Sequence, residues 1–229
     1  TTRTVRLTSE GASYATRCRE AYAQMRIGES ELLVTKSAIQ GTLIASASPI
    51  LAPLVAPAIT RFVSRHPSVR AELRLSDRVV RFAEEEVDVA VRVGKIDDED
   101  LIAHPLLEPR WVTVASPAYL ARRGVPRSPD DLEGHACIRF LPPRGKPRPW
   151  SFGSTSIHVK GPIDVDRGDM LVSAALADGG IAQVLDFMVV REVREGRLAY
   201  LLADFDSGAT IVNAVHPVSR RALPRLRAF

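Results

Sequence analysis

Cysteine is scarce: Cys18 and Cys137 are the only two in 229 residues. Two cysteines make no disulfide framework, which fits a reducing compartment and points to the cytoplasm. Long apolar runs are missing too. None approaches the roughly 18 residues that a bilayer-spanning helix needs, so no membrane segment is expected. No basic-then-apolar N-terminal stretch reads as an export signal. Aromatic residues are few, at 6%, yet hydrophobic residues reach 45%, enough to bury a core and to exclude wholesale disorder. The chain opens on Thr1 rather than Met, which reads as a fragment or a processed chain.

Catalytic signatures are absent as well. The sequence has no G-x-S-x-G, no P-loop, no G-x-G-x-x-G and no H-E-x-x-H, so no enzyme activity is expected. His135 and Cys137 stand at i and i+2, but two ligands are too few for a metal site, and the other histidines are scattered. Cys137 reads instead as a small buried hydrophobe. No cofactor or metal is implied. The net charge of +4 belongs to the tail: Arg220, Arg221, Arg225 and Arg227 fall in the last ten residues, which hold no acid. The body is neutral and gives no case for a broad nucleic-acid surface. The tail arginines read as a solvated helix face.

What is present is periodic. Over residues 10–33, Tyr14, Cys18, Ala21, Met25, Gly28 and Leu32 repeat at 4-3-4-3-4 spacing. That is the stripe of a helix packed along another helix, so these residues are candidates for dimerisation. After Gly41 the pattern changes to strand Leu43–Ser46, a helix through Leu51, Val55, Ile59 and Phe62, strand Val69–Leu75, a short helix Val79–Glu86, and strand Val87–Val93. This order predicts a parallel α/β unit with right-handed crossovers. Strands follow at Leu101–Leu107 and Trp111–Ala115, and a short helix begins at Ser116-Pro117. Residues 124–150 read as Pro- and Gly-rich loops around one strand. A second α/β unit comes next, with Asp169 as a helix cap before Gly179-Gly180. Two such units predict two lobes with a ligand cleft between them.

Several segments, in order, resemble one family. Thr1-Thr2-Arg3-Thr4-Val5-Arg6-Leu7-Thr8-Ser9-Glu10-Gly11 resembles the end of the winged helix-turn-helix of LysR-type transcriptional regulators. Asp88-Val89-Ala90-Val91-Arg92-Val93-Gly94, Ala115-Ser116-Pro117-Ala118-Tyr119-Leu120, Asp131-Leu132 with His135 and Cys137, Gly180-Ile181-Ala182 with Asp186-Phe187, and the tail Leu223-Pro224 to Arg227-Ala228-Phe229 resemble its effector domain. Leu185 stands where the family pattern has a proline. The resemblance implies an α/β fold, a bilobal domain of the type 2 periplasmic-binding-protein kind behind a long linker helix. It divides the chain into a wing remnant at 1–9, a linker helix at 10–36, lobe I at 43–115 and 214–229, and lobe II at 116–213. It implies a cytoplasmic, self-associating regulator that binds a small-molecule effector, with no membrane partner. Promoter DNA would be met through a head domain outside these residues. A solute-binding protein serving a transporter would share the fold and is the alternative.

Candidate ligand residues follow. Ser46 and Ser48 lie where the first strand enters its helix, where hydroxyls and free N–H groups can hold a carboxylate; Ser48 can equally cap the helix. Ser76 ends the second strand, with Asp77 as a cap. Arg92 ends the third and either clamps an anion or pairs with Asp88 on the same strand face. Asp166, Gly168 and Asp169 precede the second lobe's helix and face the cleft by analogy. Gln183 is a polar residue in a buried-looking strand and needs partners. Arg3 is the candidate DNA contact, as the family's wing implies.

Overall fold

The computed structural model describes residues 8–33, 39–142, 145–153, 155–205, 207–221 and 223–229. Helix α1 spans Ser9–Leu33. Thr8 caps it: Thr8 Oγ1 accepts from Gly11 N at 3.1 Å. At 25 residues it is about 37 Å long. Arg3 lies outside the described residues, as do the side chains of Leu32 and its neighbours.

Strand β1 (Gly41–Ala47) is buried from Leu43 onward because it is central, bonded to β2 (Val69–Leu75) on one side and β3 (Val89–Val93) on the other, both parallel. A 3-10 turn at Pro49–Leu51 leads into α2 (Ala52–Arg65). Leu51, Val55, Ile59 and Phe62 fall on one helical face and pack on the sheet against Ala47, Val89, Val91 and Leu43. Strand β4 (Leu101–Leu107) is the far edge, and the last strand of the chain inserts between it and β3.

A second sheet begins with β5 (Trp111–Ala115). Helix α3 (Pro117–Arg123) follows, capped by Ser116, which accepts from Tyr119 N at 3.1 Å. Then come β6 (Cys137–Phe140), a hairpin of β7 (Trp150–Phe152) and β8 (Thr155–Ile157), and β9 (Ile163–Val165). Helix α4 (Gly168–Leu176), strand β10 (Ile181–Leu185), helix α5 (Val190–Arg194) and strand β11 (Ala199–Leu201) complete this unit. The chain then returns through β12 (Val212–Pro217) to the first sheet and ends on α6 (Pro224–Ala228). The sheet orders are β2-β1-β3-β12-β4 and β11-β5-β10-β6-β9. Helix α4 covers one face of the second sheet through Leu171 and Ala175, while Trp150, Phe152 and Tyr119 cover the other.

The first three strands are parallel as expected; the returning β12 runs antiparallel to both β3 and β4 and makes the whole sheet mixed. Three expectations are corrected. Residues 79–86 form a turn, not a helix: Arg220 binds the Phe82 and Glu86 carbonyls and Arg74 binds that of Glu85, and Glu86 takes φ +55°. Asp169 is not the helix cap; it lies in the first turn of α4, paired with Arg167. Arg220 and Arg225 are not a solvated face. Both are buried against Asp88, whose Oδ2 also accepts from Ile44 N at 3.0 Å. This cluster ties the tail to β1 and β3.

Candidate functional site

The carboxyl ends of β1, β2 and β3 bring several of the expected polar residues together. Ser46 Oγ accepts from the Arg92 guanidinium at 2.7 Å, and Arg92 also donates to its neighbour Val91 O at 3.0 Å. Burial lowers the Arg92 pKa, and the charges of Asp77 and Glu85 oppose that shift. Arg92 does not pair with Asp88. Four residues along a strand separate them by roughly 13 Å, and Asp88 is taken by the tail arginines. Ser48, buried, makes no side-chain cap; its hydroxyl donates to Asp77 Oδ1. Asp77 therefore already fills the place where an anion at Ser48 was expected. Ser76 is half-buried and its Oγ accepts from Arg78 N at 3.1 Å, a local turn bond.

The start of α4 comes up against this end of the first sheet. A Cβ placed on Gly168 would meet Ile50 Cγ2 at 2.7 Å, so the glycine permits the close approach of the two units. Arg167 binds Asp169 bidentately at 3.1 and 2.7 Å, which lowers the Asp169 pKa. Arg167 also feels the charge of Asp77 across the junction. Asp166 is exposed beside it.

Gln183 lies elsewhere, on the β7–β8 face of the second sheet. It is 3% exposed and both ends of its amide are used: Nε2 donates to Ser151 O at 3.3 Å and Oε1 accepts from Arg148 at 3.4 Å. The Arg148 guanidinium sits 3.6 Å from the centroid of the Trp111 ring. Burial pushes its pKa down to about 10. Arg148 and Trp111 were not singled out in the sequence, because Arg148 falls in the Pro- and Gly-rich loops of residues 124–150 and Trp111 read only as the start of a strand. One signal was there: Arg148 lies between Pro147 and Pro149, which stiffen the backbone on both sides.

The helical stripe presents itself outward. Tyr14 and Met25 are 74% and 66% exposed, and Cys18 and Ala21 are exposed beside them. His135 is engaged with the Tyr119 hydroxyl at 3.2 Å and Cys137 is buried, its thiol pushed up to about 12. Among the described residues no three His, Cys, Asp or Glu side chains are grouped to hold a metal, and no helix is long and apolar enough to cross a membrane.

A groove of about 1460 Å³ runs between α2, the β4–β12 edge and α6, past His104, His216 and Phe229. It touches none of the candidate ligand residues. Its walls are chiefly the apolar faces of α2 and the sheet, whereas polar side chains converge at the strand ends facing α4. The latter is the arrangement that orients a small ligand.

Two sheets joined by two crossing strands, with polar groups at the strand ends between them, define a ligand-receptor fold. The family model for the LysR substrate binding domain matches residues 36–229. The transcriptional regulator CrgA of Neisseria meningitidis serogroup C is 36% identical over the whole chain, which spans 78% of that protein. The solved structure of CrgA from Neisseria meningitidis superposes with a TM-score of 0.78 at 33% identity, covering all of this chain and 79% of that one. The CrgA regulatory domain superposes at 0.75 and 32% identity, covering 83% of this chain and 95% of that one. The chain belongs to the LysR family of transcriptional regulators and carries its effector-binding domain. The family consists of regulators rather than enzymes, and membership sets aside the transporter receptor.

Proposed function

We propose that a small effector binds between the two sheets and that the bound state is passed through α1 to DNA-binding heads. The observation that carries this is the meeting of Ser48–Asp77 and Arg92 on one side with Arg167–Asp169 on the other, where Ile50 abuts Gly168. Each side is bonded within itself, so the junction can tighten or loosen without leaving polar groups unpaired. A ligand that prefers one arrangement shifts the population by its difference in affinity, typically worth about 1–3 kcal/mol. The lobes of this switch are residues 43–115 with 214–229, and 116–213. Self-association runs along the Tyr14, Cys18, Ala21, Met25 and Leu32 stripe, promoter DNA is reached through Arg3 and the segment before it, and the setting is the cytoplasm.

Thermal unfolding against a panel of metabolites tests this. A ligand at 100 times its Kd adds about 2.7 kcal/mol of stability. A saturable shift that Ser48→Ala or Arg92→Met weakens supports the reading. A saturable ligand whose affinity neither change alters places its site elsewhere.

A further inference from the structure

Most buried or half-buried arginines here have an acid. Arg220 and Arg225 share Asp88, and Arg139 holds Asp164 at 2.7 and 2.9 Å. Arg148 is different. Among the described residues no carboxylate pairs with it, and no acid offsets the burial that acts on it. Its partners among the described residues are neutral: the Trp111 ring below, the Gln183 amide at a long 3.4 Å, and a backbone bond from its own N–H to Phe140 O at 3.4 Å. A half-buried cation without a counter-ion is an unfavourable arrangement that an arriving anion relieves.

A second observation lies next to it. Thr113 stands opposite Gln183 in the β5–β10 pair, 2% exposed, and its hydroxyl is a buried group with no hydrogen-bond partner among the described residues. Such orphans are rare and mark a place where a polar atom is wanted. The location is also apt. Trp111 opens β5 directly after the segment that crosses from the first sheet, Asp186 N donates to Arg110 O at 2.9 Å, and Phe187 packs against Leu51 of the 3-10 turn and Val91 of β3. Trp111 and Arg148 are only part-buried, so a ligand can reach them.

We infer that Arg148 receives the carboxylate of a small organic acid, with the Trp111 ring holding the guanidinium flat and Gln183 as its positioning residue. A guanidinium stacked on one face keeps its edge free, and that edge matches a carboxylate bidentately. This rests on the effector-binding reading and names its ligand class. It also moves the anion contact from Ser48, where Asp77 repels it, to the second sheet.

The test measures thermal unfolding and tryptophan fluorescence of the protein at constant ionic strength. The probes are acetate, succinate, benzoate, the neutral benzamide and inorganic phosphate. At least one of the three acids is expected to bind saturably. Arg148→Met weakens that acid by at least about tenfold, Arg148→Lys weakens it less, and Arg17→Met, at an arginine exposed on α1, leaves it within about twofold. The inference is overturned if none of the acids binds, if benzamide or phosphate matches the acids, or if Arg148→Met and Arg148→Lys bind as the parent does. Should neutral metabolites from the wider panel bind between the sheets while every acid fails, the effector reading stands and this inference alone falls.

Discussion

Asp88 and Arg220 meet at 2.6 Å, with the carboxylate 2% exposed and Arg225 at 3.2 Å on the same oxygen. The pair joins the residue just before β3 to one 132 positions later, so it fixes the return of the chain to its first sheet. Replacing Asp88 by Ala leaves two buried cations without an anion and is expected to cost about 3–5 kcal/mol. Denaturant unfolding measures it. A loss below about 1 kcal/mol would mean the arginines find water instead.

Gly161 is packed against backbone. A Cβ there would lie 1.7 Å from Cys137 O, which is not a flexible side chain that can move aside. Gly161→Ala is expected to destabilise the fold by at least about 1–3 kcal/mol through overpacking. Gly28→Ala, with nothing within 4 Å of its Cβ, is the matched control and should not lower the Tm.

The two thiols should separate cleanly. Cys18 is exposed on α1, whereas Cys137 is buried with its thiol pushed up to about 12 by desolvation. At pH 8 a disulfide reagent is expected to modify Cys18 in the folded protein and both cysteines in denaturant. Fast modification of Cys137 in the folded state would mean that the second core opens.

Acid should loosen two loops. The Ser116 hydroxyl donates to Asp178 at 2.5 Å and holds its pKa below the ordinary value, and the Arg127 and Ser128 amides do the same for Asp131. A depressed folded-state pKa gives stability that is present above the unfolded value of about 3.9 and is lost as pH falls through the folded one. NMR titration should therefore find both carboxyls below that value. Ser116→Ala should raise the Asp178 pKa and leave that of Asp131 unchanged.

The stripe on α1 gives a prediction about assembly. Tyr14 and Met25 are largely exposed on a single chain, so placing charge there adds no burial within it. Met25→Glu is expected to shift sedimentation toward the monomer, with the Tm of the effector domain unchanged. An unaltered association state would move the contact to another surface.

Much of the fold was legible because periodicity and local chemistry dictate it. The alternating or continuous apolar runs at Val69–Leu75, Leu101–Leu107 and Trp111–Ala115 coincide with β2, β4 and β5, and the stripe from Tyr14 to Met25 lies on α1. The motif series named the family, because side chains with fixed local duties, such as Ser116 capping α3, repeat at fixed spacing. The turn at 79–86 was illegible. Its carbonyls are claimed by Arg74 and by Arg220, which is more than 130 residues away, and no window of sequence contains that competition.

The candidate site divides along the same line. The sequence by itself determined that Ser46, Ser48 and Arg92 stand at strand ends and that Gln183 lies within a buried strand. Only the tertiary structure decided their partners. Ser48 faces Asp77, Arg92 turns to Ser46, and Gln183 meets Arg148 from a proline-rich loop. The physical reason is reach. Propensity and capping act within a few residues, whereas the pairing of a buried charge is settled by whichever opposite charge or dipole the packed sheets bring within about 3 Å.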